Sequence, residues 1–149
     1  MIVMGNYGRN LIRAAVLFAV FNGSIAVAGD TALMTAIRNG DLDAARTLLR
    51  GKADVNEARA DGTTVLAWAV YRGDLDAVKL LIRSGANVNA VNDYGVSPLH
   101  LACLNASTKI TAELLAAHAN QDVAKQTGET PLMSCASSGD AEGVRLLLK

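Results

Sequence analysis

The sequence predicts an all-α solenoid of about four stacked helix-turn-helix units joined by short β-turn fingers. Three observations lead there. Gly29, Gly62, Gly95 and Gly128 recur at an interval of 33 residues, as do Leu33, Leu66, Leu99 and Leu132, and as do Leu48, Leu81, Leu114 and Leu147. A fixed period of this size marks a repeat architecture, in which one unit cannot bury its own apolar face and stacked neighbours share a continuous core.

The segment from Asp61 to Ala90 shows how one unit is specified. Asp61-Gly62 is a turn signal, because glycine accepts a positive φ without steric cost. Thr63 or Thr64 is placed to cap the helix that follows. Val65 to Val70 is nearly all apolar, so this short helix must be covered on most of its surface. Gly73 stops it. Asp74 is the N-cap of a second helix, with Asp76 in the first turn where the helix dipole favours an anion. Leu75, Val78, Leu81 and Ile82 form one face of that helix. Gly85 ends it, and residues 86 to 90 leave in an extended run.

The same reading divides the chain into units 29–59, 60–92, 93–127 and 128–149, the last incomplete. The first unit carries Lys52 where the second has Gly85. The third departs most. Ala106-Ser107 replaces the Gly-Asp of the inter-helix loop, with Ser107 still able to cap, and His118 replaces the terminal glycine. Its second helix is therefore expected to end less cleanly, with a more mobile exit. Leu146, Leu147 and Leu148 leave apolar surface open in the fourth unit.

Gly95-x-Ser97-Pro98-Leu99-His100-Leu101-Ala102 resembles the G-x-T-P-L-H-x-A signature of the ankyrin repeat, and Gly85-Ala86-Asn87-Val88-Asn89-Ala90 resembles that family's G-A-D-V-N-A exit. The resemblance covers residues 29 to 149. It implies a protein that binds another protein through its concave face and turn tips, with no catalysis and no cofactor.

Residues 1 to 28 do not follow the repeat. Arg9 and Arg13, the apolar run Ala14 to Phe21 and the small residues Ala26-Val27-Ala28 read as a secretory signal peptide cleaved after Ala28. The run is shorter than the ~20 residues a spanning helix needs. Together with the repeats this indicates an exported, bacterial periplasmic type of ankyrin protein; retention of residues 11 to 28 would instead tether it to a membrane. The chain from 29 onward carries 12 basic and 14 acidic side chains. With no basic run, nucleic acid is not an expected partner.

Few residues suggest chemistry. His100 occupies the histidine position of the ankyrin signature, where the resemblance implies hydrogen bonds tying neighbouring turns together. Its register mates are Met34, Ala67 and Met133, so no site repeats. The acids Asp41/Asp43, Asp74/Asp76 and Asp140/Glu142 recur with the period and read as helix starts. No catalytic or metal-ligating set is expected. Cys103 and Cys135 fall on the first helices of adjacent units; with packed helices ~10 Å apart and a disulfide requiring Cα atoms within ~7 Å, two small buried thiols are expected. Trp68 shares the register of Leu101, which predicts partial burial between helices.

Function should lie where the period is not obeyed. The positions flanking each repeat glycine and those ending each first helix differ from unit to unit. The candidate partner-binding residues there are Asp61, Thr63, Tyr71, Arg72, Asp93, Tyr94, Val96, Leu104 and Asn105. Tyr and Arg most often dominate binding energy, and Val96 with Leu104 would form a small groove beside them. Packing of Tyr71 and Tyr94 on neighbouring turns is the alternative. A second mode of association is docking of the chain, as an accessory subunit, through its last repeat.

Overall fold

The computed structural model describes residues 30–149; the proposed leader, residues 1 to 28, lies outside the described residues. The helices are α1 (Ala32–Asn39), α2 (Leu42–Arg50), α3 (Val65–Tyr71), α4 (Leu75–Arg83), α5 (Pro98–Leu104), α6 (Thr108–Ala116), α7 (Pro131–Ser138) and α8 (Ala141–Leu147). The first helices of the units, α1, α3, α5 and α7, pack in series as one layer, and α4, α6 and α8 pack in series as the other. Among the described residues no helix is long and apolar enough to cross a membrane.

Each helix start follows from the sequence. Thr31, Thr64, Ser97 and Thr130 are the N-caps of the four first helices, and each side chain accepts a backbone N–H three residues on. Asp41, Asp74 and Asp140 cap α2, α4 and α8 in the same way, so the periodic acids are helix-start residues. The repeating leucines fill the core: Leu33, Leu66 and Leu99, and Leu81 and Leu114, are 1% exposed or less.

The repeating glycine has two causes. Gly62 and Gly95 adopt φ of 76°, which side-chain-bearing residues rarely take, and the next finger lies against them. A Cβ on Gly62 would sit 3.2 Å from Asn92 Cα, and one on Gly95 would sit 3.0 Å from Lys125 Cα. The fingers are closed turns, with Arg59, Asn92 and Lys125 donating their N–H to the carbonyls of Thr63, Val96 and Glu129. They are joined laterally where Asp93 N–H donates to Asp61 O at 3.0 Å and Gln126 N–H to Tyr94 O at 3.2 Å.

The third unit departs from expectation at both ends of its second helix. Its second helix ends as cleanly as that of the second unit. His118 takes the left-handed conformation of Gly85, with φ 64° against 90°. The N–H groups of His118 and Ala119 close onto Leu115 and Leu114, as those of Gly85 and Ala86 close onto Ile82 and Leu81. The exit is pinned as well: Asn120 N–H donates to Asn89 Oδ1 at 2.7 Å, repeating the bond from Asn87 N–H to Asn56 Oδ1. Ser107 stands at the N-cap of α6 but its side chain makes no capping bond.

The cysteines are also corrected. Cys103 and Cys135 are fully buried and form a disulfide between α5 and α7, with Cα atoms 4.3 Å apart. The ~10 Å expectation is an axis-to-axis distance. Helical Cα atoms lie ~2.3 Å off their axis, so two that face each other approach by about 5 Å more. The crossing is close because the residues there are small, and Ser138 Oγ donates to Cys103 O at 2.7 Å across it.

Candidate partner-binding face

The first helices and the fingers share one face of the stack. Arg38 on α1 pairs with Asp30 at 2.6 Å, Arg59 on a finger lies with its guanidinium carbon 5.8 Å from the centre of the Trp68 ring on α3, and Ser134 on α7 donates its hydroxyl to Glu129 on another finger. Positions 35, 38 and their register mates line this face: Thr35 and Arg38, then Trp68 and Tyr71, then Leu101 and Leu104, then Ser134 and Ser137. Charge gives way to aromatic, then aliphatic, then small polar side chains along the stack.

Trp68 is half-buried, as its register predicts, and its ring centroid lies 5.5 Å from that of Tyr71. Tyr71 nevertheless keeps 60% of its surface open, Tyr94 on its fingertip 64%, and Leu104 44%. Exposed large apolar side chains cost solvation and commonly mark contact sites when grouped. Val96 is partly covered. Its N–H is held by Asn92 Oδ1 at 3.0 Å and its carbonyl by Asn92 N–H, which fixes the finger rather than the side chain.

Other candidates are engaged within the stack. Asn105 Nδ2 donates to Val70 O at 3.1 Å and to Tyr71 O at 2.9 Å in the preceding unit. Arg72 donates from its guanidinium to Arg38 O. Ser138, at the same register, donates to Cys103 O. This position is a strap from each unit to the helix end of the unit before; it engages the amide of Asn105 and the hydroxyl of Ser138, whereas Arg72 uses one guanidinium nitrogen and stays exposed. Asp61 Oδ1 accepts from Thr63 N–H at 3.0 Å, and this bond holds its carboxyl below the usual carboxylate range. Asp61 and Asp93 are also joined through their backbones, so the fingertips are presented as a fixed set.

His100 is completely buried. Its Nδ1 lies 2.9 Å from Ser97 Oγ and accepts from Ser97 N–H, and its Nε2 lies 3.0 Å from the Glu129 carbonyl of the next finger. It ties adjacent turns together, as the resemblance implied. Burial, with lesser opposition from the Glu129 carbonyl, lowers its pKa. The Ser134 hydroxyl and then Lys125 lower that of Glu129. Burial raises that of Glu57, against the lowering effect of the Met34 N–H. Among the described residues no group of three or more His, Cys, Asp or Glu is arranged to hold a metal ion.

The straps at 72, 105 and 138 and the asparagine ladder at 56 and 89 were not anticipated. Both carried a signal, since polar side chains recur there at the repeat interval.

No curated protein matches the chain. A family model described as ankyrin repeats (3 copies) matches residues 5–92 and 66–149. With its periodic helix pairs, stacked fingers and histidine-tied turns, the chain belongs to the ankyrin-repeat family.

Proposed function

We propose that this protein is a scaffold that binds a partner protein through the face formed by its first helices and fingers, without catalysing a reaction. Ankyrin repeats are generally protein–protein interaction modules. The observation that carries the reading is the exposure of Tyr71, Tyr94 and Leu104 on a face otherwise held rigid by hydrogen bonds between units. Rigid presentation lowers the ordering cost of binding. The test is affinity capture with the protein and with a Tyr71→Ala/Tyr94→Ala variant. Loss of the captured partner with an unchanged circular dichroism spectrum supports the assignment; unfolding of the variant, or undiminished capture, removes it.

The protein is further proposed to be exported, its leader cleaved after Ala28, and to act in the periplasm. The Cys103–Cys135 disulfide favours an oxidising compartment, since such bonds are rare where thiols are kept reduced. Mass determination of the mature N-terminus in fractionated cells tests this; a retained segment 11–28 in the membrane fraction would identify a tethered protein instead.

A second reading, an accessory subunit docking through the fourth unit, draws on Met133. It is 57% exposed, a large apolar side chain open on the first helix of that unit. A Met133→Glu variant that loses partner capture while Tyr71→Ala/Tyr94→Ala retains it would favour this reading.

A further inference from the structure

The chemistry of the binding face points to the kind of segment it receives. Around Trp68 the arginines keep more open surface than the acid they share. The side chains of Arg38 and Arg59 are 22% and 34% exposed, while that of Asp30, which lies 2.6 Å from one and 3.7 Å from the other, is 1% exposed. Arg72 is exposed. The second nearby acid, Glu57, is turned onto the N-terminus of α1, where it accepts from the Thr31 hydroxyl and from Met34 N–H at 3.0 Å. Asp61 stands on the fingertip and folds its carboxylate onto Thr63 N–H. Farther along the stack, Leu101 and Leu104 are uncharged, and the next pair, Lys125 and Glu129, is matched at 2.9 Å. An incoming segment thus meets guanidinium N–H groups at the Trp68 end, then the Tyr71 ring, then the Leu104 side chain.

We propose that the partner presents a short segment in which a carboxylate stands beside an aromatic or aliphatic side chain. The carboxylate is received by Arg59 and Arg72, and the apolar side chain packs on Tyr71 and Leu104. The planar guanidinium fork matches a carboxylate, and the apolar neighbours strengthen the pairing by excluding water. This rests on the reading of the face as a protein-docking surface.

The test is selection of a random peptide library against the full-length protein. Enriched peptides are expected to place Asp or Glu next to Phe, Tyr, Trp, Leu or Ile. Their binding should weaken about tenfold or more in Arg72→Glu, and in the unmodified protein as salt rises from roughly 50 to 500 mM, because exposed ion pairs are screened. The salt series needs no variant and covers the case in which Arg72→Glu disturbs its strap to Arg38. Enriched peptides that are neutral or basic, yet lose binding in Tyr71→Ala/Leu104→Ala, would overturn the acidic class and leave the docking face standing. Peptides that bind Tyr71→Ala/Leu104→Ala as tightly as the unmodified protein would contradict the docking face itself.

Discussion

Cys103 and Cys135 join the third unit to the fourth through a bond buried between α5 and α7. The bond closes a loop with a sequence separation of 32 residues. In the chain-entropy account, closing a loop of this length stabilises the fold by about 3–4 kcal/mol. Urea unfolding of a Cys103→Ala/Cys135→Ala variant should show a loss of this size. Addition of reductant should lower the midpoint of the unmodified protein and leave that of the variant unchanged. An unmodified protein indifferent to reductant would mean that the bond is absent in solution.

Asn105 gives a prediction that separates holding the stack from binding a partner. Its amide satisfies the Val70 and Tyr71 carbonyls at the end of α3. Asn105→Ala is expected to cost about 1–2 kcal/mol, since two acceptors lose a donor at a repeat junction. At temperatures where the variant remains folded, partner affinity should change little. Chemical denaturation and a binding titration on the same samples check both halves.

The third inter-helix loop is the place where the repeat is poorest. Ala106 has φ 48°, whereas Gly40, Gly73 and Gly139 fill the matching places. The left-handed region costs a side-chain-bearing residue roughly 1–2 kcal/mol, against ~0.5–1 kcal/mol of extra chain entropy for glycine. Ala106→Gly should therefore stabilise the protein by up to about 1 kcal/mol, read as a higher denaturation midpoint.

Burial depresses the pKa of His100 in the folded protein, so the unfolded chain takes up a proton first as pH falls. The stabilisation is complete above the unfolded value of about 6.5 and is lost as pH falls from there through the lower folded value. Between these limits the denaturation midpoint of the unmodified protein should fall more steeply than that of His100→Gln. The comparison cancels carboxylates common to both, including Glu57, whose raised pKa acts in the opposite direction.

Much of this fold can be read from residues. The period of Thr31, Thr64, Ser97 and Thr130 announces four capped helices, and the leucines two residues later announce which side is buried. Register also assigns His100 a place between turns. What register cannot supply is which polar atoms a preceding unit claims. Arg72 and Asn105 occupy a variable surface position, and only the placement of the neighbouring helix end shows that the Asn105 amide and one guanidinium nitrogen of Arg72 are used internally. The disulfide escaped for a related reason: spacing locates two helices, but small residues at their crossing decide how closely two facing Cα atoms approach. Tyr71, Tyr94 and Leu104 were legible as candidates because they break the repeat, and all three stay exposed in the stack.

A partner held on the face of the first helices and fingers should leave a footprint in backbone exchange. Hydrogen–deuterium exchange of the protein with and without its captured partner tests it most directly. New protection should appear at the end of α3 around Tyr71, in the finger 92–96 and at the end of α5 around Leu104. Protection confined to α2, α4 and α6, with those three segments unchanged, would contradict the account.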